Sequence, residues 1–194
     1  MGARAARSAD DRLADLFRDH HARVLAYAVR RVGPTAAPDI AAETYAVACR
    51  RLDVVPDGPD ALPWLLATAR NLVLAHVRSA ATRARTEGRA AALDDAVRQP
   101  APDPADAAAD RAVVHQTLAR LSESDRELML LLAWDDLCFA DVAVVLGCSV
   151  GAVRVRWLRA RRRFADALVV EDEDPCSTSS STDESPSLTM GGLR

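Results

Sequence analysis

The chain contains no lysine: all 25 of its basic residues are arginine. Each cation is therefore a planar five-donor fork suited to phosphates and guanine edges, and none is a compact ammonium. Aromatic residues make up only 4% of the chain. The apolar material is mostly Ala, Leu and Val. Runs of β-branched and aromatic residues are scarce while strong helix formers abound, so the fold class expected is all-α. The four cysteines, Cys49, Cys138, Cys148 and Cys176, form no CxxC pair and no Cys/His cluster with zinc spacing. Two of them fall within apolar-periodic helices, and the cysteines are expected to be small buried hydrophobes. No apolar run approaches the ~20 residues needed to span a bilayer. The opening MGARAARSADDR has no apolar h-region. These absences predict no membrane insertion and a reducing, cytoplasmic setting. There is no Gly-rich phosphate loop, no Ser or Cys nucleophile beside a base and no metal cluster. No catalytic residue, metal or cofactor is expected, and the chain is not read as an enzyme. His20 and His21 are adjacent on a helix, so their rings diverge by ~100° and suit structural roles.

What is present falls into two blocks. In the first, from Asp10 to Arg83, Leu13, Leu16, Phe17, Val24, Leu25 and Ala28 recur at helical spacing until Gly33-Pro34 stops the helix. A second helix is predicted over Ala37 to Leu52. Asp53 to Asp60 is a loop by its Pro, Gly and Asp content. A third helix begins with Pro63 in its first turn and carries Leu65, Ala69, Leu72, Val73, His76 and Val77 on one stripe. Residues 84–106 lose the pattern, lean acidic and end in Gln99-Pro100-Ala101-Pro102-Asp103-Pro104, which reads as a flexible linker. The second block, 107–168, is predicted to hold four short helices. Ser122 with Asp125 and then Ser149 mark two helix starts, and Val153, Trp157, Phe164 and Leu168 are expected to be buried. From Val169 to Arg194 an acidic run followed by Ser, Thr and Pro offers too little apolar surface to offset ordering, so a disordered tail is expected.

Within the second block, Ala143, Gly147 and Val153 have the spacing of a helix-turn-helix. A small residue lets the helices approach, glycine takes the tight turn, and valine packs the second helix back on the first. That second helix is expected to expose Arg154, Arg156, Arg159, Arg162 and Arg163. Ser149 to Arg163 holds six arginines and no acid. Surface helices ordinarily mix charge signs, so this run points to a helix that lies in a major groove. In the first block, Asp39 and Glu43 stand at i, i+4 on one face of the second helix. Arg70, Asn71 and Arg78 lie on the polar side of the third, where Asn can bond a base edge and Arg a phosphate. Taken alone, these two groups fit an ordinary solvated surface as well.

Taken in order, the two blocks resemble the extracytoplasmic-function RNA polymerase sigma factors. Asp39-Ile40-Ala41-Ala42-Glu43-Thr44-Tyr45 resembles their region 2.2 motif. Pro63 to Leu72 resembles regions 2.3 and 2.4, Leu121 to Leu128 the start of region 4, and Val150 to Arg156 with Arg159-Ala160-Arg161 the recognition helix. The resemblance implies a region 2 helical bundle and a region 4 helix-turn-helix joined by a linker. It implies that Asp39 and Glu43 bind the clamp helices of core RNA polymerase. Arg70, Asn71 and Arg78 would recognise the −10 element, with the flexible loop Asp53 to Asp60 receiving a flipped base. Ser149, Arg154, Val155, Arg156, Arg159, Arg162 and Arg163 would meet promoter DNA at the −35 element. An anti-sigma factor is a further partner it implies. Departures from the pattern are Ala42 in place of Gln, Cys138 in place of a Ser or Thr cap, Val155 in place of Ser or Thr, and Trp157 in place of Leu. Val155 could contact a thymine methyl, while the Cys138 cap should be poor. A free-standing helix-turn-helix regulator and a sigma-like decoy that binds an anti-sigma factor are the competing readings. The intact arginine face argues against the decoy, and the lack of a sensor-like first block argues against the regulator.

Overall fold

The computed structural model describes residues 8–86, 113–114 and 116–172, and among these there is no strand. The all-α expectation therefore holds. Helix α1 (Ala9–Arg50) starts at Ser8, whose Oγ accepts from the Asp11 backbone N–H at 3.0 Å. Asp10 and Asp11 in its first turn suit the positive end of the helix dipole. The helix is broken at Gly33 (φ 76°, ψ 168°), directly before Pro34. Glycine alone takes this φ without strain, and proline excludes the helical conformation from the residue before it. The predicted stop is thus present, as a sharp bend between two limbs. The second limb buries Ala37, Ile40, Ala41, Thr44, Tyr45 and Ala48 at three- and four-residue spacing. The buried Thr44 hydroxyl is satisfied by donating to the Ile40 carbonyl at 2.7 Å.

Helix α2 (Ala61–Thr86) follows a single 3-10 turn at Gly58–Asp60. Pro63 sits in its first turn, and Leu62, Leu65, Leu66, Ala69 and Val73 are buried. The first residues of the expected linker, Ala84 to Thr86, continue this helix. The rest of the linker lies outside the described residues, as does Cys176.

The second block forms α3 (Glu123–Ala133), α4 (Phe139–Leu146) and α5 (Val150–Asp172). Helical backbone at 116–120 precedes α3, which accounts for the fourth helix expected here. Arg126 closes that earlier stretch: its Nε donates to the Leu118 carbonyl at 2.9 Å and Nη2 to the Ala119 carbonyl at 2.8 Å. Ser122 and Ser149 cap α3 and α5 as expected, accepting from the Asp125 and Ala152 amides, each at 3.2 Å. Cys138 caps α4 with a long 3.5 Å contact from the Asp141 amide to Sγ. The Asp141 carboxylate, however, accepts from the Cys138 amide at 3.1 Å. The weak sulfur cap is thereby backed by a reciprocal bond. Gly147 (φ 64°, ψ 39°) makes the turn, and the Cys148 amide donates to the Ala143 carbonyl at 3.0 Å. Val153 is fully buried and Ala143 nearly so.

Three expectations need correction. The tail expected from Val169 is helical as far as Asp172. Trp157, Phe164 and Leu168 are only half-buried, because Ala160 and Val153 supply the innermost positions of α5. The cysteines are not core residues: Cys49 and Cys138 are exposed and Cys148 is half-buried. Cys138 is a cap and Cys49 lies just outside the buried stripe that ends at Ala48.

Gly147→Ala should destabilise the chain by about 1–2 kcal/mol in urea unfolding, the cost of a left-handed L-residue. A Cβ there meets nothing within 4 Å. Gly147→Asn should therefore cost clearly less than Ala; equal costs would mean that packing, not backbone conformation, governs the turn.

Candidate nucleic-acid interface

The outward face of α5 carries Arg154, Val155, Leu158, Arg159, Arg161 and Arg162, all exposed. None of these four arginines makes an ion pair or a side-chain hydrogen bond among the described residues. Val155 is 48% exposed and Leu158 66%, so the outer face has an apolar stripe between its cations. Arg156 and Arg163, expected on the same face, are not free. Arg156 Nη2 donates to the Ser124 carbonyl at 3.2 Å and to the Ser124 hydroxyl. Arg163 pairs with the buried carboxylate of Asp125. These two arginines are seven residues apart and share one stripe, which faces the start of α3. Leu158 and Arg161 were not singled out from the sequence, although their helical spacing from Val155 and Arg154 places them on the outer side.

Arg70, Asn71 and Arg78 share α2 but not one environment. Asn71 and Arg78, seven residues apart, are both exposed; Asn71 makes no side-chain hydrogen bond among the described residues, and Arg78 Nε donates to the Leu74 carbonyl at 3.0 Å. Arg70 instead reaches α3. Its Nε and Nη2 donate to the two carboxylate oxygens of Glu127 at 2.9 and 3.0 Å. The hydrogen bonds that Arg70 donates to Glu127 raise the Arg70 pKa above its ordinary value, against partial burial. This bidentate pair spans 57 residues of sequence and could not be read from helical periodicity.

The loop from Asp53 to Asp60 is held, contrary to the expected flexibility. Val55 is 2% exposed and plugs the core. One guanidinium ties the backbone on both sides of it: Arg12 Nη1 donates to the Leu52 carbonyl at 2.6 Å and Nη2 to the Val55 carbonyl at 2.5 Å. Arg12 Nε donates to the Asp57 carboxylate at 2.8 Å. Gly58 takes φ 65°, which lets the chain turn into the 3-10 segment. A cavity of about 450 Å³ adjoins the loop, lined by Arg12, Asp19, His20, Asp57, Gly58 and Pro59. Burial lowers the His20 pKa, favouring the neutral ring near neutral pH. Sequence reasoning missed Arg12, because its partners lie 40 or more residues away.

Asp39 and Glu43 are both exposed on the second limb of α1, with Ala42 exposed between them. Glu43 pairs with the exposed Arg50 at 2.7 Å, a contact that water screens strongly. Asp39 makes no side-chain contact among the described residues. No described helix is long and apolar enough to cross a membrane.

Comparison with known proteins places these surfaces in a family. The family model for sigma-70 region 2 matches residues 16–83, and that for sigma-70 region 4 matches residues 111–164. The ECF RNA polymerase sigma factor SigC of Mycobacterium tuberculosis is 35% identical over 139 residues, covering 71% of this chain and 70% of SigC. SigL of the same species is 34% identical over 158 residues, covering 80% of this chain and 86% of SigL. Among solved structures, the sigma factor RpoE of Bartonella quintana, in complex with the anti-sigma factor NepR, superposes with a TM-score of 0.64 at 22% identity. That match covers 81% of this chain and 97% of RpoE. CnrH, solved with the cytosolic domain of CnrY, gives a TM-score of 0.55 at 24% identity, covering 84% and 89% of the two chains. The folds agree with these neighbours, and the relatives' identity and coverage carry the assignment: the chain belongs to the extracytoplasmic-function RNA polymerase sigma factors, which direct transcription initiation.

Proposed function

We propose that α5 lies in the major groove at the −35 element and that α2 with the Asp53 to Asp60 loop reads the −10 element. The observation that carries this reading is the outer face of α5: four arginines with no ion-pair or hydrogen-bond partner among the described residues, and no carboxylate from Ser149 to Arg163. Arg154, Arg159 and Arg162 bond guanine edges and phosphates, and Ser149 with the start of α5 favours a phosphate. Val155 packs on a thymine methyl. Arg156 and Arg163 act at one remove, by fixing α5 on α3. Asn71 bonds an unpaired base edge, Arg78 and Arg70 hold the strand's phosphates, and the loop receives the extruded base. Preorganisation suits that last task, because a loop already tied down loses little freedom on binding.

On this reading residues 10–83 and 107–168 act as separate functional units joined by the acidic segment 84–106. Asp39 and Glu43 dock on the clamp helices of core polymerase. The protein works in the cytoplasm, within holoenzyme, and has no catalytic step of its own. An anti-sigma factor masks these surfaces until a signal releases them; the complexes of RpoE with NepR and of CnrH with CnrY support such a partner.

Arg154→Ala should cut −35-dependent transcription roughly tenfold while leaving core polymerase binding intact, as for loss of a bidentate base contact. If Arg154 instead holds a phosphate, the salt dependence of promoter binding should flatten by about 0.9 in log–log slope. Equal loss of core binding would place Arg154 outside the DNA interface. Asn71→Ala should change base preference at the −10 element more than overall promoter strength, and an unchanged profile removes Asn71 from the site.

Arg12 provides a test of the loop. Arg12→Ala should erase base preference at the extruded position in a promoter-library transcription assay while −35 dependence persists. Arg12→Lys should rescue little, since an ammonium cannot span two carbonyls and a carboxylate in one plane. Preserved base preference in Arg12→Ala would detach the loop from base selection.

A further inference from the structure

The outer face of α5 holds more than cations. Leu158, at 66% exposure, is the most exposed large apolar side chain among the described residues, and Val155 stands three residues before it at 48%. Gly151, also exposed, lies four residues before Val155. At ~100° per residue these three positions fall within about 60° of arc and form one track along the helix. Arg154 and Arg161 border the track on one side and Arg159 on the other, while Arg162 continues its line one turn beyond Leu158; all four are exposed. Single apolar side chains on a surface need no explanation. Two of them a turn apart and enclosed by cations do, because their area gains nothing until a partner covers it. The glycine has no internal reason either. It sits in the first turn of α5, where alanine would favour the helix more. A Cβ at Gly151 would meet only Ser149 Oγ, at 3.9 Å, which is an ordinary contact. The chain's own packing therefore does not call for a glycine here, and the open space above the first turn is left for whatever the helix approaches.

We propose that Gly151, Val155 and Leu158 form a methyl-reading track. In it Val155 and Leu158 pack on the methyl groups of two thymines on adjacent base pairs of the −35 element, and Gly151 keeps the first turn of α5 clear so that the helix reaches that depth. The inference rests on the major-groove reading of α5 given above. In the major groove only thymine presents a methyl group. A three-residue step advances about 4.5 Å along a helix, comparable with the ~3.4 Å between successive bases of one strand, so the two side chains meet neighbouring base pairs. An apolar protein surface would also cover the track, but it would strip water from four guanidinium groups without offering them acceptors. A DNA duplex meets both needs in one approach, with methyls for the track and acceptor oxygens for the arginines around it.

Deoxyuridine differs from thymidine only in lacking the methyl group. Each −35 thymine of a promoter recognised by the holoenzyme is replaced in turn by deoxyuridine, and holoenzyme binding is measured on each template. We expect the wild type to lose about fourfold in binding at each of two adjacent base pairs, the value of one buried methyl. Leu158→Ala should become indifferent to one of these replacements and Val155→Ala to the other, each keeping its sensitivity at the remaining position. Both side chains are exposed, so neither variant should lower the melting temperature. Gly151→Ala should leave the melting temperature unchanged or raise it, and yet weaken binding to the all-thymine promoter. Three results overturn the proposal: wild-type indifference to deoxyuridine, unchanged sensitivity at both positions in Leu158→Ala and in Val155→Ala, or a −35 element without thymines on adjacent base pairs. Undiminished binding by Gly151→Ala removes the glycine from the track. Arg154→Ala is read in parallel. If it still lowers −35-dependent transcription, such results remove only the methyl reading, whereas an inert Arg154→Ala would remove the groove placement beneath it.

Discussion

Glu127 takes both arms of Arg70 at about hydrogen-bond length and sits near Arg31, which is itself stacked on Tyr27. Much of the architecture follows from that one carboxylate. The helices are built mainly from Ala, Leu and Val, which pack closely but give little directional preference. Tyr27, Leu65, Leu66, Leu128 and Leu131 are fully buried. Apolar burial of this kind stabilises contact between helices without choosing one orientation strongly. The charged groups supply the choice, because a buried ion leaves a large penalty wherever its partner is misplaced.

The absence of lysine gives the chain only one kind of cation, and the structure divides the arginines into two populations. Arg12, Arg126, Arg156 and Arg163 end on backbone carbonyls, hydroxyls or carboxylates of their own chain and act as staples. Arg154, Arg159, Arg161 and Arg162 are exposed and make no ion pair or side-chain hydrogen bond among the described residues. The first group fixes the loop, the helix before α3 and the mount of α5. The second is left for a polyanion. Because a guanidinium can close two or three bonds in one plane, a staple holds a backbone segment that an ammonium would only touch. The outer face of α5 is thus smaller in charge than a count of arginines implies, and more precisely mounted.

The legible part of the fold was the local part. Gly33-Pro34, the Ser8, Ser122 and Ser149 caps and the Gly147 turn each depend on a few neighbouring residues, so their geometry is written in short segments. The exposed stripe of α5 was legible in outline from its lack of acids. What periodicity could not reveal was which stripe another helix would cover. Arg156 and Arg163 pair with Ser124 and the buried Asp125, which lie more than 30 residues away along the chain and so could not be read from local spacing. Arg70 met Glu127 for the same reason, and the loop proved held because Arg12 reaches it from the start of α1. Long-range pairing also explains the cysteines: the core stripe of α1 ends one residue before Cys49, a boundary set by packing and not by composition.

The most direct test of the account is transcription in vitro on fragmented host DNA, with core RNA polymerase in the presence and absence of this protein, followed by sequencing of 5′ ends. The account expects new start sites that share two upstream motifs separated by about one and a half to two helical turns, the span of two linked DNA-reading units. An absence of new starts, with another sigma factor active on the same core enzyme, would contradict it.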